Sequence, residues 1–247
     1  MKQSLFTIKE NTALTHDIMK MVLSGDTTDI TRPGQFVNVL IEGQYLRRPI
    51  SVNDSIDGEL TLIYKVVGVG TEKMAKMLPG ETLDILTGLG NGYDIEKSGD
   101  RPLLIGGGVG VPPLYMLAKQ LAGKGCDITV ILGFRSARDV FYKDEFEALG
   151  AKVFVTTEDG TAGTKGFVTG VFGEAGDYTH TYSCGPEPML RAVYNTSVTS
   201  GQYSFEERMG CGFGACMGCS CKTLTGNKRI CKEGPVMRKE EILWSEK

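Results

Sequence analysis

Hydrophobic and polar positions alternate in short runs over the first part of the chain. The segments 35–41 and 59–67 are rich in β-branched and aromatic residues, which is typical of strands. Turn-favouring pairs separate the runs: Pro33-Gly34, Asp57-Gly58 and Pro79-Gly80. One helical stretch is predicted over 71–78. Because closing a sheet removes its exposed edges, we predict an antiparallel β-barrel for the domain 1–98.

From residue 101 onward, apolar runs of strand length alternate with helical patterns. The predicted strands are 102–105, 127–132, 152–156 and 178–183, and the predicted helices are 114–121, 140–149 and 188–194. Such alternation predicts a parallel sheet covered by helices on both faces. We therefore expect a Rossmann-like domain over 99–203, joined to the barrel by the polar stretch 96–100.

Beyond residue 203 the chain becomes rich in glycine and cysteine and has no long apolar run. Such a segment needs something other than a hydrophobic core to hold it together. We therefore predict a small third domain over 204–247. The predicted fold class is thus a multi-domain β plus α/β protein.

Composition and charge narrow the possible functions. The 247 residues carry a formal net charge of −3, so no basic field exists to hold nucleic acid. The apolar runs are too short to span a bilayer, and the N-terminus lacks a secretory leader. The seven cysteines are odd in number and mostly clustered near the C-terminus, unlike a secreted disulfide framework. We expect a cytoplasmic protein.

The clustered cysteines have the spacing of an iron–sulfur site. Cys211, Cys216 and Cys219 form C-x4-C-x2-C, and Cys231 follows after eleven more residues. This is the plant-type ferredoxin spacing for a 2Fe-2S cluster, whose irons prefer soft thiolate ligands. Zinc is the alternative, but zinc sites favour paired C-x2-C units and only one is present. Cys221 is interpreted as a spare or alternate thiol.

A glycine loop lies between the first predicted strand of the second domain and the following helix. Gly106, Gly107, Gly108 and Gly110 would let a pyrophosphate approach backbone amides at the start of that helix. The loop departs from G-x-G-x-x-G because proline stands where the third glycine belongs, although proline suits a first helical turn. A plain tight turn is the alternative interpretation.

Two further segments could bind a phosphorylated cofactor. Arg48 can pair with a diphosphate, and Ser51 can hydrogen-bond to a ring or a ribitol group. The helix start at Gly70-Thr71 can cradle a phosphate. Taken singly each signal is weak, and a structural ion pair is the alternative role for Arg48.

In this order, the motifs resemble the ferredoxin–NADP reductase superfamily. The R-x-x-S segment at 48–51, the Gly-Thr helix start, the glycine loop and a Cys-Gly-Pro at 184–186 follow one another as in that superfamily. The stretch 106–115 and the lead-in 206–211 to the cysteine motif narrow the resemblance to dihydroorotate dehydrogenase B electron transfer subunits. The resemblance covers nearly the whole chain.

The resemblance implies three sets of site residues. FAD would be bound by Arg48, Pro49, Ile50, Ser51, Ile63, Tyr64, Lys65, Gly70 and Thr71. NAD would be bound by Gly106, Gly107, Gly108, Gly110, Cys184, Gly185 and Pro186. The 2Fe-2S cluster would be held by Cys211, Cys216, Cys219 and Cys231. Cys184 is the one thiol that could lie near the nicotinamide, with a buried structural role as the alternative.

The resemblance also implies a function in pyrimidine biosynthesis. An FMN-containing catalytic subunit would oxidise dihydroorotate, and two copies of each subunit would form a heterotetramer. The present chain would pass the electrons through the 2Fe-2S cluster and FAD to NAD, because a flavin can exchange both single electrons and hydride. The alternatives are a reductase subunit of another NAD(P)H-linked flavo-iron-sulfur enzyme and a cluster-based redox-sensing protein.

The residues alone leave the choice of nicotinamide open. Arg135 and Ser136 end the second predicted strand of the sheet and favour a 2′-phosphate, as in NADP. The acidic pair Glu158-Asp159 ends the third strand and would repel that phosphate. The family resemblance implies NAD.

Overall fold

Six antiparallel strands form a closed barrel in the N-terminal part of the chain. The structure, a computed structural model, describes residues 1–244, so the last three residues of the predicted third domain lie outside the described residues. The barrel strands are β1 (Lys2–Ala13), β2 (Ile18–Ser24), β3 (Phe36–Val39), β4 (Arg48–Ile56), β5 (Glu59–Lys65) and β6 (Thr82–Leu89). Their order is β1-β2-β5-β4-β3-β6, and β6 pairs again with β1. The predicted antiparallel barrel is confirmed.

One short helix, α1 (Val69–Ala75), connects β5 to β6. It begins two residues before the predicted start because the Thr71 hydroxyl accepts hydrogen bonds from the backbone N–H groups of Val67 (2.9 Å) and Gly68 (3.2 Å). These bonds end the extended conformation after β5 and fix the backbone of the first turn of α1. The helix ends before Lys76, ahead of the Pro79-Gly80 turn.

Six parallel strands follow and are flanked by helices. The strands are β7 (Pro102–Gly107), β8 (Thr129–Phe134), β9 (Lys152–Thr157), β10 (Thr164–Lys165), β11 (His180–Cys184) and β12 (Gly201–Ser204), in the order β10-β9-β8-β7-β11-β12. The helices are α2 (Tyr115–Gly123), α3 (Lys143–Ala148) and α4 (Glu187–Thr196). The predicted Rossmann-like parallel sheet is confirmed. Helix α3 is shorter than predicted because Tyr142 adopts a left-handed backbone conformation (φ +66°), which no α-helix can include.

The C-terminal segment contains a hairpin and returns to the sheet. The hairpin strands are β13 (Ser220–Thr223) and β14 (Gly226–Arg229), and β15 (Val236–Arg238) then pairs antiparallel with β12. Buried Ile230 and Met237 pack in one cluster with Phe36 of the barrel and Tyr203 of the sheet. The boundary at 204 stays a prediction, because this segment shares its core with both preceding parts.

The barrel and the sheet also meet through buried polar contacts. The Tyr93 hydroxyl, just after β6, donates a hydrogen bond of 3.1 Å to the carbonyl oxygen of Ser183 in β11. Such a contact between buried groups orients the barrel relative to the carboxyl ends of the parallel strands. Among residues 1–244, no helix has the length and apolar character needed to cross a membrane.

Candidate functional site

The carboxyl ends of β7 and β11 lie side by side where the strand order of the sheet reverses. From β7 the chain winds outward through β8 and β9 to β10, and then places β11 and β12 on the other side of β7. Gly106 of β7 pairs with Cys184 of β11. In open parallel sheets, ligands bind in the crevice at such a reversal. The predicted glycine loop and the Cys-Gly-Pro segment therefore meet where a dinucleotide is expected.

The glycine loop packs directly against the segment that follows β11. A Cβ atom at Gly110 would lie 2.2 Å from the carbonyl oxygen of Cys184, so only glycine fits there. Met189 of α4 covers the neighbouring backbone. A Cβ atom at Gly107 would lie 2.5 Å from its Sδ, and one at Gly185 would lie 2.5 Å from its Cε. Met189 therefore lines the candidate site, although no motif in the sequence includes it.

Cys184 is buried at the base of this crevice, 3% exposed. Burial raises the pKa of its thiol to about 12, the negative charge of Glu206 adds to the effect, and a hydrogen bond with Ser204 partly offsets it. The side chain is therefore a neutral thiol at physiological pH. It can shape the crevice but cannot serve there as a thiolate.

The predicted flavin residues on β4 lie next to the start of α1. Residues 48–51 form the first half of β4, and their side chains are half-buried. A Cβ atom at Gly70 would lie 2.6 Å from Nε of Arg48, so the guanidinium packs on the helix backbone. Arg48 also donates a hydrogen bond of 2.9 Å to Oε1 of Gln44. The structure thus brings together two of the predicted phosphate contacts.

Several other predicted flavin residues have side chains that are already engaged. The Thr71 hydroxyl caps α1, as described above. The Tyr64 hydroxyl donates a hydrogen bond of 3.1 Å to Asn11 inside the barrel, and Lys65 forms an ion pair with Asp17 at 2.9 Å. Any contact that these three residues make with a cofactor would accordingly involve their backbone.

The four predicted cluster ligands form two pairs. Cys211 and Cys216 interact through their side chains, and so do Cys219 and Cys231. A 2Fe-2S cluster takes two protein ligands on each iron, so two thiol pairs fit this group. In the described part of the chain, no three His, Cys, Asp or Glu side chains form a group for a single metal ion.

Backbone amides surround the sulfur atoms. The N–H groups of Ala215 (3.2 Å) and Cys216 (3.4 Å) donate to Sγ of Cys211, and the N–H of Cys231 donates to Sγ of Cys219 at 3.4 Å. Burial alone would raise the pKa of Cys211, but the N–H donors of residues 213, 215 and 216 and the side chain of Cys216 lower it to about 6. Burial and the neighbouring Cys219 instead raise the pKa of Cys231 to about 12. Residues 211–216 are therefore suited to hold a thiolate at Cys211, and thiolates are the ligands of iron–sulfur clusters.

Arg229 supports the loop from outside, and the sequence analysis missed it. Its Nη1 donates a hydrogen bond of 2.6 Å to the carbonyl oxygen of Gly214, while Nε donates to Glu233 at 2.9 Å. The arginine thus ties the loop between the first two cysteines to the turn that follows Cys231. No spacing rule marks it, because its partner is a backbone carbonyl.

Comparisons with known proteins agree with this arrangement. Residues 104–195 match the family model of the oxidoreductase NAD-binding domain. Residues 206–243 match that of the iron-sulfur cluster binding domain of dihydroorotate dehydrogenase B. The dihydroorotate dehydrogenase B (NAD(+)) electron transfer subunit of Geobacillus sp. (strain WCH70) is 44% identical over 98% of this chain and 99% of its own length. The chain belongs to the family of dihydroorotate dehydrogenase B electron transfer subunits.

Another member supports this assignment, and a solved structure of a different oxidoreductase supports the fold. The electron transfer subunit of Fusobacterium nucleatum is 43% identical over 96% of each chain. A solved NADH-dependent reduced ferredoxin-NADP oxidoreductase chain superposes with a TM-score of 0.88, at 29% identity, over 97% of this chain and 90% of that chain. The family resemblance and the fold class predicted from sequence are both confirmed.

Proposed function

We propose that this chain is the electron transfer subunit of an NAD-dependent dihydroorotate dehydrogenase in pyrimidine biosynthesis, with FAD, a 2Fe-2S cluster and NAD as its cofactors. The observation that carries the proposal is the full-length match to subunits of this name. The paired thiols of the C-terminal loop support it. When bound, the flavin converts between single electrons and hydride.

The FAD site is proposed along β4, the end of β5 and the start of α1. Arg48 would hold the diphosphate, because its guanidinium packs against the backbone of Gly70 at the start of α1. Pro49 and Ser51 would line the flavin side of β4 with their side chains, whereas Ile50, which packs against the barrel core, would contribute its backbone. Ile63, Tyr64 and Lys65 would contribute backbone contacts, because β5 pairs with β4. Thr71 would act by capping α1, which leaves the first amides of the helix free for phosphate.

The NAD site is proposed at the crevice between β7 and β11. Gly106, Gly107, Gly108 and Gly110 would receive the pyrophosphate, and Gly185 and Pro186 would border the nicotinamide. Cys184 would lie close to the nicotinamide as a neutral thiol. If Cys184 has this role, we expect the Cys184→Ser variant to reduce its flavin with NADH more slowly than the wild type. An unchanged rate would show that Cys184 has a structural role only.

The cluster site is proposed at Cys211, Cys216, Cys219 and Cys231. Family membership implies a catalytic partner subunit, and we propose that it carries FMN and that two copies of each subunit assemble. Phe213 and Met217 are exposed in the same loop, 42% and 55% respectively, and offer an apolar contact for that partner near the point where electrons enter. We propose a cytoplasmic location, which suits clustered reduced thiols.

Anaerobic purification together with the catalytic subunit tests the proposal. The complex is expected to contain FMN, FAD, iron and acid-labile sulfide, to lose flavin absorbance on addition of NADH, and to reduce NAD when given dihydroorotate. A complex that contains flavin and iron but does not reduce NAD when given dihydroorotate would indicate a reductase subunit of another flavo-iron-sulfur enzyme. A chain with a metal site but no flavin would indicate a redox-sensing protein.

A further inference from the structure

Asn38 lies between the proposed flavin strand and the cysteine loop. It is on β3, directly opposite Pro49 of β4, and is only 1% exposed. Its Nδ2 donates a hydrogen bond of 3.2 Å to the carbonyl oxygen of Cys211. One buried side chain, on the strand that pairs with the proposed flavin strand β4, thus contacts the first proposed ligand of the cluster.

The same contact is tightly packed from the side of the loop. Gly212 has a left-handed backbone (φ +77°), and a Cβ atom there would lie 2.1 Å from Nδ2 of Asn38. The amide of Asn38 therefore occupies the space that a side chain at position 212 would need. The loop is held against β3 by packing as well as by the hydrogen bond.

The backbone of Asn38 is itself fixed. Nη1 of Arg47 donates a hydrogen bond of 3.2 Å to the carbonyl oxygen of Asn38, and Arg47 forms an ion pair with Asp84 of β6 at 2.8 Å. Because β3 is held on both sides, the position of Asn38 relative to β4 is well determined. Movement of the cysteine loop would have to break its contact with Asn38.

The other half of the Asn38 amide lacks a partner. Its Oδ1 is buried and accepts no hydrogen bond within residues 1–244. The residue opposite on β4 is Pro49, whose nitrogen carries no hydrogen to donate. Buried acceptors in folded proteins are nearly always satisfied, so an unpaired one indicates a group that is absent from the protein chain alone.

We infer that Asn38 is a positioning residue for electron transfer between the cluster and FAD. Its Nδ2 holds the loop of Cys211, and its Oδ1 accepts a hydrogen bond from the bound flavin. This inference rests on the proposed function, which assigns the two cofactors to these segments. Residues that orient metal ligands in this way affect activity or metal affinity by about 10- to 100-fold when they are replaced.

The test compares Asn38→Leu and Gly212→Ala in the complete complex with an exposed control, Asn195→Leu on α4. Stopped-flow absorbance after mixing with NADH separates flavin reduction from the later reduction of the cluster. For both test variants, we expect transfer from flavin to cluster to slow about tenfold more than flavin reduction does. The EPR signal of the reduced cluster should also change. Asn38→Leu should in addition shift the flavin absorption band, whereas the control should match the wild type throughout.

The inference would be overturned if fully iron-loaded test variants matched the wild type in three measurements. These are the EPR signal of the cluster, the flavin absorption band and the ratio of the rate of flavin-to-cluster transfer to that of flavin reduction. Loss of iron or flavin from the wild-type complex would instead contradict the proposed function. If Asn38→Leu does not assemble a cluster, the isosteric variant Asn38→Asp provides the test of the inference. Its carboxylate cannot donate to Cys211 and adds negative charge, so the midpoint potential of the cluster should fall. A potential equal to that of the wild type would again overturn the inference.

Discussion

Asn53 of β4 and Tyr142, which precedes α3, form a buried hydrogen bond across the boundary between the barrel and the sheet. The Tyr142 hydroxyl donates to Oδ1 of Asn53 at 2.9 Å, and Nδ2 of Asn53 donates to the carbonyl oxygen of Pro112 at 3.1 Å. Asn53 lies two residues after Ser51, and Pro112 lies two residues after Gly110. The amide thus connects the proposed flavin strand to the proposed nicotinamide loop.

Breaking this connection should affect both stability and hydride transfer. Tyr142→Phe leaves Oδ1 of Asn53 buried without a donor, which costs about 1–3 kcal/mol of unfolding free energy. Asn53→Ala removes both hydrogen bonds and should slow flavin reduction by NADH, since a displacement of ~1 Å between reacting groups can cost about 100-fold. Urea unfolding and stopped-flow absorbance measure the two effects. The exposed Asn195→Ala is the control, and equal behaviour of the three variants would contradict this role.

The close approach of Gly110 to Cys184 predicts a second sensitive position. In Gly110→Ala the new methyl group meets a backbone oxygen, so the glycine loop and the end of β11 must move apart, at a cost of about 1–3 kcal/mol. The rate of flavin reduction by NADH should fall as well, because the glycine loop is displaced from β11. In the control Gly123→Ala, at the exposed end of α2, the methyl group meets no atom within 4 Å. That change should leave NADH oxidation unaltered and stabilise the protein slightly.

The buried thiol of Cys184 predicts a pH dependence of stability. Its pKa in the folded protein is raised to about 12, whereas in the unfolded chain it is about 8.5. The unfolded state therefore loses this proton first as the pH rises, and the folded state loses stability between these two values. The loss from this group approaches about 1.4 kcal/mol per pH unit.

Comparison with Cys184→Ala isolates this contribution. The buried tyrosines also destabilise the protein at alkaline pH, but they are present in both proteins and cancel. The difference in unfolding free energy between wild type and variant should be constant below about pH 8 and shrink above about pH 9. A difference that stays constant up to about pH 11 would show that the thiol is not buried as described.

Two cysteines close in sequence should differ in their effect on iron content. Cys219 is buried, and its sulfur accepts the N–H of Cys231, whereas Cys221 is half-buried on β13. Cys219→Ser should lose most of the iron and acid-labile sulfide while retaining FAD, because FAD is assigned to the barrel. Cys221→Ser should retain both cofactors. Loss of iron from Cys221→Ser with retention in Cys219→Ser would mean that the ligand set is wrong.

The choice of nicotinamide can be checked by initial rates. We expect NADH to reduce the flavin faster than NADPH. The exposed Arg135 at the end of β8 favours a phosphate, but its carbonyl oxygen accepts the N–H of Asp159 at 3.3 Å, so the acidic turn lies beside it. Asp159→Asn should reduce the preference for NADH over NADPH, because it removes a negative charge that repels the 2′-phosphate of NADPH. A clear preference of the wild type for NADPH would contradict the assignment.

Local patterns in the sequence were enough to predict the order of the barrel and the sheet, a phosphate loop and a cluster motif, whereas FAD was implied by the family resemblance. Alternating apolar positions predict strands, and glycines after a strand predict a phosphate loop, because both depend on neighbouring residues only. The four cysteines were predicted as ligands in the same way, since a cluster needs a characteristic ligand spacing. The helix ends were less accurate. The start of α1 depends on the Thr71 cap, and that of α3 on the backbone of Tyr142.

The sequence by itself therefore determined the order of the barrel, the sheet and the cysteine segment, and it supplied the candidate residues for FAD, NAD and iron. Only the tertiary structure decided which of them meet. Asn38 and Cys211 are 173 residues apart, and Met189 covers glycines at the carboxyl ends of two different strands. Contacts between distant segments depend on how the barrel, sheet and loop pack against one another. No local periodicity encodes that packing, because it results from burial summed over the whole chain.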